Sequence, residues 1–205
     1  MSELLIIGAN GHGKVVADIA MNLGTYEKIS FFDDNEEIKT VLGFPCKGKV
    51  CLVEQEDRKC HVVVAIGNAV IRERMLEWVL ELGFEVPVLV HPNAVVAGDV
   101  TIGKGSVIMA GAVVNSGTEA GKGVIINTAC SVDHDCRLDD YSHVSVGAHL
   151  AGTVHVGKRT WIGAGAVISN NVSVCADVMV GAGAAVVKDI KESGTYVGVP
   201  AKKLK

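Results

Sequence analysis

Starting at Val96 and stepping by six, the chain reads Val96, Ile102, Ile108, Val114, Ala120, Ile126, Val132, Leu138, Val144, Leu150, Val156, Ile162, Ile168, Val174, Val180 and Val186. Every member is aliphatic. Two residues before each lies a second restricted set, which includes Ala94, Val100, Ser106, Ala112, Thr118, Val124, Cys130, Cys136 and Ser142, all small or Val. Side chains two apart on a strand share a face, so both sets point inward. Glycine often follows the aliphatic position, as in IGKG, IGAG and VGAG, and allows tight turns between very short strands. A hexapeptide period of this kind is the signature of a parallel β-helix, each repeat forming one flat side of a stacked coil. Three sides make a coil of about eighteen residues, so about five coils fit between Val96 and Val186.

The first third of the chain has a different rhythm. Leu4 to Gly8 reads as a strand, Lys14 to Leu23 as a helix and Ile29 to Asp34 as a second strand. A Gly/Pro/Lys loop from Leu42 to Lys49 follows, then a strand from His61 to Asn68, an amphipathic helix from Val70 to Leu82 and a strand from Glu85 to Val90. Strands alternating with helices imply a small parallel α/β sheet. The expected division is an α/β domain over residues 1–90, a β-helix over 91–190 and a C-terminal tail over 191–205.

Composition narrows the function classes. A net charge of −4 and a pI of about 6.0 provide no basic footprint for nucleic acid. Mean hydropathy is +0.36, yet no apolar run approaches the roughly 18 residues of a membrane span. The opening MSELLIIGANGHGK lacks the basic region and cleavage site of a signal peptide. The 6 cysteines show no CxxC pair or metal-type cluster, which points to free, packed thiols in a reducing cytoplasm.

Two stretches carry candidate chemistry. GANGHG (Gly8 to Gly13) follows the first strand and opens a helix, the context in which backbone amides and the helix dipole stabilise phosphate oxygens. Its spacing is G-x-x-G-x-G, not the dinucleotide G-x-G-x-x-G, so it favours a phosphate-bearing ligand other than NAD. Asp33 and Asp34, about twenty residues on, suit hydrogen bonds to ribose or base. AIGN (Ala65 to Asn68) ends the third strand on the same edge, with Arg72 one turn into the next helix.

The second stretch is SVDHDCRLDDYSHV, Ser131 to Val144. His134 follows inward Val132 by two and so falls at a coil corner; His143 immediately precedes inward Val144 and points outward. Gly152 is eighteen residues after His134 and stacks one coil along, where its N–H is able to bond an oxyanion beside the imidazole. Asn127 is eighteen before Ser145, which brings it near His143. Nine residues separate the two histidines, half a coil, so one chain puts them on different sides of the prism. A site using both needs a cyclic oligomer, with His134 and Asp135 of one chain facing Asn127 and His143 of the next. Either Asp133 or Asp135 qualifies as the carboxylate that orients His134.

GANGHGK, FFDDN, AIGN, NTACSVDHDC, YSHVSVGAHLAG and YVGVPAKK occur in the order found in one subgroup of the hexapeptide-repeat acyltransferases. The chain resembles the PglD-type nucleotide-sugar N-acetyltransferases and NeuD-type sialic acid O-acetyltransferases over essentially its whole length. The resemblance implies a Rossmann-like domain followed by a left-handed β-helix, a homotrimer, acetyl-CoA as co-substrate and no metal. It implies a UDP-linked 4-amino-4,6-dideoxy sugar as acceptor. It places the base at His134, its carboxylate partner at Asp135, and His143, Asn127 and the Gly152 amide in the active site. Gly11, His12 and Gly13 fall to the sugar-nucleotide phosphates, Asp33 and Asp34 to the nucleoside, and Gly67 and Asn68 to the same substrate. Acetyl-CoA is expected along the later coils, at Gly152, Gly163, Gly181 and Gly198 to Ala201 (Val199 and Pro200 included), while Lys202 and Lys203 read first as a solvated basic terminus and second as contacts to CoA phosphates. Competing readings are O-acetylation of a sialic acid, a metalloenzyme of the γ-carbonic anhydrase kind using His143, His149 and His155, and a scaffold without catalysis.

Overall fold

The computed structural model describes residues 3–204. The chain forms two compact units, residues 1–92 and 93–205.

The first unit contains β1 (Glu3–Ile7), α1 (Gly11–Leu23), β2 (Lys28–Phe32), β3 (Thr40–Val41), β4 (Phe44–Gly48), a short 3₁₀ turn (Val50–Gln55), β5 (His61–Val64) and α2 (Ala69–Glu81). The sheet order is β3-β4-β2-β1-β5, parallel except where β3 pairs antiparallel with β4. β1 is central, and Leu4 to Ile7 are fully buried, as expected of a parallel strand covered on both faces. Gly24 ends α1 in the left-handed region, its N–H bonding the carbonyls of Ala20 and Met21.

Four expected bounds change. The loop expected at Leu42 to Lys49 is mostly β4, joined to β2 at Phe31 and Cys46 through a bulge. Its Pro and Lys residues hide the strand because every second side chain is exposed. α1 begins at Gly11, so the glycine loop runs into its first turn. β5 stops at Val64, since AIGN leaves the sheet to cap α2: Asn68 Oδ1 accepts the Ile71 N–H at 3.0 Å. The strand expected over Glu85 to Val90 reduces to a bridge from Glu85 to His61 and the pair Leu89–Val90, with Pro87 between them lacking the N–H a ladder needs.

The second unit is a parallel β-helix of two-residue strands. One face holds Val95–Val96, Val113–Val114, Ser131–Val132, His149–Leu150, Val167–Ile168 and Ala185–Val186. A second holds Thr101–Ile102, Glu119–Ala120, Arg137–Leu138, His155–Val156 and Ser173–Val174. A third runs Val107–Ile108, Ile125–Ile126, His143–Val144, Trp161–Ile162 and Val178–Val180. Pairing joins residues eighteen apart, as Val113 to Ser131 and Ile125 to His143. From Ile108 to Val186 every aliphatic position of the period is buried.

Three of the buried hydroxyls two residues back, those of Ser106, Thr118 and Thr160, serve the backbone. Thr118 Oγ1 donates to the Asp133 carbonyl at 2.9 Å, and Thr160 Oγ1 to that of Cys175 at 2.7 Å. All six cysteines are free. Burial pushes the Cys130 thiol up to about 12, which makes it a core side chain.

From Ile102 to Val180, the chain turns with positive φ three residues beyond each inward aliphatic. Glycine takes many of these corners, but Ala129, Asp135, Tyr141, Thr153, Arg159, Asn171 and Asp177 hold φ between 54° and 62°. Each costs about 1 kcal/mol or more. The described part of the C-terminal segment, residues 191–204, adds two strands to the third face. Gly194–Val197 pairs parallel with Val178–Val180, and Lys202–Lys203 folds back antiparallel on it. Among the described residues no helix is long and apolar enough to cross a membrane.

Candidate active site

Two independent choices of phase build the corner at His134. The side chain leaves the prism two residues after Val132, and Asp135 occupies the left-handed corner with φ 56°. That turn swings its carboxylate back, and Asp135 Oδ2 lies 2.8 Å from His134 Nδ1. A carboxylate only accepts, so Nδ1 carries the proton and Nε2 presents its lone pair. Asp133 serves the backbone instead, its Oδ1 accepting the His134 N–H at 2.8 Å and the Asn115 amide at 2.9 Å. The orienting carboxylate is therefore that of Asp135. The Asp135 hydrogen bond, followed by the nearby Asp133 charge, raises the imidazole above its usual pKa range.

Nε2 faces Gly152. A Cβ at that position would lie 2.5 Å from Nε2 and 2.6 Å from Cε1. The Gly152 N–H takes no part in the coil's backbone ladder, which passes instead through Ala151 and Thr153. A side-chain-free N–H beside a bare imidazole nitrogen is an arrangement that can meet negative charge where a proton is removed.

His143 lies elsewhere, on the third face, and its environment differs from what pointing outward suggests. It is 6% exposed, with its ring 4.5 Å from that of Trp161, one coil along. Its Nε2 lies 3.0 Å from Asn127 Nδ2. Because Asn127 Oδ1 accepts the Thr128 N–H at 2.8 Å, the amide nitrogen faces the ring and Nε2 is the acceptor. Trp161, eighteen residues after His143, is a member of this cluster that the sequence reading did not single out. His149 and His155 lie on the other two faces, bonded to Ser131 (2.8 Å) and Asp139 (2.9 Å), so the six-residue histidine series diverges. Among the described residues the group with metal-ligand spacing is Glu3, Glu56 and Cys60, and Lys47 bridges its two carboxylates at 2.8 and 2.9 Å.

In the first unit, a cleft of about 500 Å³ opens at the start of α1, lined by Asn10, Gly11, Lys14, Lys39 and their neighbours. Asn10 makes no side-chain cap, so α1 retains the anion-attracting character of an uncapped N-terminus. Lys14 and Lys39 add positive charge that the glycine pattern alone does not reveal, offset in part by Glu37 in the same lining. Asp33 holds the loop itself, its Oδ2 accepting the Ala9 N–H at 2.8 Å, and Asp34 Oδ1 accepts the Val50 N–H at 3.0 Å. Gly13 is a packing glycine: any Cβ there would overlap the Gly8 carbonyl oxygen. His12 has a buried Nε2, and burial, then the Arg72 charge, lowers its pKa to about 4, so it is neutral near pH 7. Arg72 is itself buried and donates to the carbonyls of Ile66 (2.9 Å) and Gly67 (2.7 Å), while Asn68 is occupied as the α2 cap.

The expected co-substrate positions divide in the same way. The N–H groups of Gly163 and Gly181 are committed to the carbonyls of Val180 and Tyr196, and a Cβ on Gly181 would lie 2.6 Å from Val197. Both glycines thus have a stacking role. Val199 is 78% exposed beside Pro200 and Ala201. Lys203 pairs with Glu192 at 3.0 Å.

Known proteins share this architecture. A family model for the PglD N-terminal domain matches residues 3–79, and one for the bacterial transferase hexapeptide (six repeats) matches residues 87–116. The GDP-perosamine N-acetyltransferase of Escherichia coli O157:H7 is 31% identical over 172 residues, covering 82% of this chain and 78% of that protein. The acetyltransferase domain of PglB from Neisseria gonorrhoeae FA1090, solved in complex with acetyl coenzyme A, superposes with a TM-score of 0.96 and is 46% identical over 98% of both chains. PerB from Caulobacter crescentus, in complex with CoA and GDP-perosamine, gives 0.92 and 36% over 99% of this chain and 97% of that one.

Proposed function

Since the chain belongs to the PglD/NeuD-type hexapeptide-repeat sugar acetyltransferases, with a Rossmann-like domain and a left-handed β-helix, we propose that it acetylates the amino group of a nucleotide-linked 4-amino-4,6-dideoxy sugar, using His134 as general base. It is an acetyltransferase that uses acetyl-CoA and acts on a nucleotide amino sugar. The observation that carries the mechanism is the corner itself: His134 Nδ1 held by Asp135 at 2.8 Å, with Nε2 against side-chain-free Gly152.

As the sugar nitrogen bonds to the acetyl carbonyl carbon, Nε2 takes the amine proton and Asp135 stabilises the resulting imidazolium. Negative charge on the carbonyl oxygen meets the Gly152 N–H. The carbon–sulfur bond then breaks, and the departing thiolate recovers a proton from His134. Asn127 and His143 complete the site from a neighbouring protomer of a homotrimer. That reading is supported by the positions of the two histidines, one at the corner after the first face and the other on the third. Acetyl-CoA would reach Gly152 past the exposed Val199–Ala201 segment.

The diphosphate is assigned to the cleft at Gly11, where the amides of α1 and the charges of Lys14 and Lys39 converge. Of the expected phosphate contacts, His12 would act as a neutral hydrogen-bonding group and Gly13 by allowing close approach. Asp33, Asp34, Gly67 and Asn68 frame the nucleoside end. UDP is the first choice of nucleotide, from the motif resemblance; GDP is the second, favoured by the two relatives named for GDP-perosamine. The free thiols fit a cytoplasmic enzyme of bacterial glycan biosynthesis.

Thiol release from acetyl-CoA, followed with UDP- and GDP-linked 4-amino sugars and with sialic acid, tests the proposal. Turnover with one nucleotide 4-amino sugar and none with sialic acid is expected. Turnover confined to sialic acid would replace N- by O-acetylation.

A further inference from the structure

Glycine at position 117 needs a reason beyond backbone conformation. Its φ is +74°, but the corners stacked after it in the same column are Asp135, Thr153 and Asn171, each left-handed and each bearing a side chain. What distinguishes position 117 is what lies on it. A Cβ there would overlap Oδ1 of Asp135 and stand 3.4 Å from its carboxyl carbon, while the other oxygen of that carboxylate grips His134. The Asp135 carboxylate rests on the bare Cα of Gly117.

This platform is itself fastened. Asp99, one coil earlier, accepts through Oδ2 both the Ser116 hydroxyl (2.7 Å) and the Gly117 N–H (3.0 Å). The Ser116 carbonyl in turn accepts the Asp135 N–H at 3.0 Å. The Ser116 hydroxyl, then the Gly117 amide, hold the Asp99 carboxyl below its ordinary pKa, so the clasp is ionised at neutral pH. One column of the prism thus runs from Asp99 through Gly117 to Asp135 and His134, and ends against Gly152.

We propose that Gly117, clasped by Asp99, is a positioning residue for the His134–Asp135 pair, keeping the Asp135 carboxylate in the one orientation that reaches Nδ1. The proposal rests on the reading of His134 as general base. With alanine at 117, the carboxylate must turn away and the imidazole loses its tautomer lock. Turnover then falls about tenfold, less than the roughly hundredfold or more of losing the base because the imidazole remains, while KM is unchanged because no substrate contact is removed.

The test compares wild type, G117A, G111A, D135N, the G117A/D135N double variant and H134A, by steady-state kinetics and NMR titration of the His134 ring. Gly111 is the control, at φ +70° with its nearest neighbour an ordinary 3.7 Å away, so that alanine there adds the same backbone strain without touching the pair. G117A is expected to lower kcat about tenfold and move the His134 pKa down, G111A to leave both unchanged, and the double variant to match D135N. If G117A matches G111A in both readouts, or multiplies the D135N loss, the positioning role is refuted. If G117A does not fold, Asp99→Ala at its exposed site carries the same two readouts, with the same direction expected and refutation if neither moves. H134A separates the two levels. Retained turnover in H134A would overturn the general-base reading, whereas the titration of the His134 ring in G117A still reports on the platform.

Discussion

His134 and His143 are half a coil apart, made of the same imidazole, and both leave the prism rather than enter it. One has a side chain 56% exposed and is held by a carboxylate; the other residue is 6% exposed, packed at a tilt of 33° against an indole and bonded to an amide. Direction out of the prism, which the local repeat sets, does not decide environment. The residues one coil away do: Gly117 and Gly152 leave space around the first pair, and Trp161 and Asn127 enclose the second. In a stacked fold the neighbour that sets the space around a side chain is eighteen residues distant, even where its hydrogen-bond partner, as Asp135 for His134, is the next residue.

That contrast can be broken at several points. The largest effect is expected from His134→Ala, which removes the proposed proton acceptor and should cost about a hundredfold or more in kcat with folding unchanged by circular dichroism. Equal turnover would transfer the base to His143. Gly152→Ala comes next, because its methyl would occupy the position facing Nε2; a loss of tens of fold in kcat is expected, along with loss of the imidazole's position in a crystal structure.

Asp135→Asn is milder, about tenfold, and carries a sign. Asp135 is the first cause of the raised His134 pKa, so the neutral base is lost as pH falls through that raised value. Without the carboxylate, the acid limb of the kcat/KM profile should shift to lower pH; an unmoved limb would show that another group titrates there. Trp161→Ala is the smallest and acts on the second histidine: half-buried packing is lost, so stability should drop by about 1–2 kcal/mol in a denaturant melt. His143 ring protons should then shift toward solvent-exposed values, with His134 unaffected.

The fold of the second unit was largely legible because the period of six fixes which residues face inward, and stacking follows from it. The placement of its corner residues was legible to the same extent: Gly152 over His134 and Asn127 beside His143 both come from counting eighteen. The choice between Asp133 and Asp135 was not, since it depends on the left-handed turn at 135 and on Asn115 engaging Asp133. Gly117 and Trp161 were available to the same count, eighteen before Asp135 and eighteen after His143, but nothing in their own local sequence draws attention to them. The first unit was harder to read. FPCKG hides a strand behind a proline and a lysine, and the glycines of GANGHG do two jobs, since Gly13 serves helix packing while Gly11 lines the open cleft. A desolvated ring nitrogen such as His12 Nε2 cannot be recognised from a motif, because burial is a property of the packed sheet.

An eighteen-residue register also sets rules for how such a chain can change in length. Excising residues 152–169 removes one whole turn, so the interior pattern closes up without a frameshift between core and surface. Asn170 would then take the place of Gly152 above the imidazole, putting a branched amide where no Cβ fits. Excising 158–175 shortens the prism equally and leaves that stack intact. The architecture is modular in length, but its chemistry is anchored to a single storey.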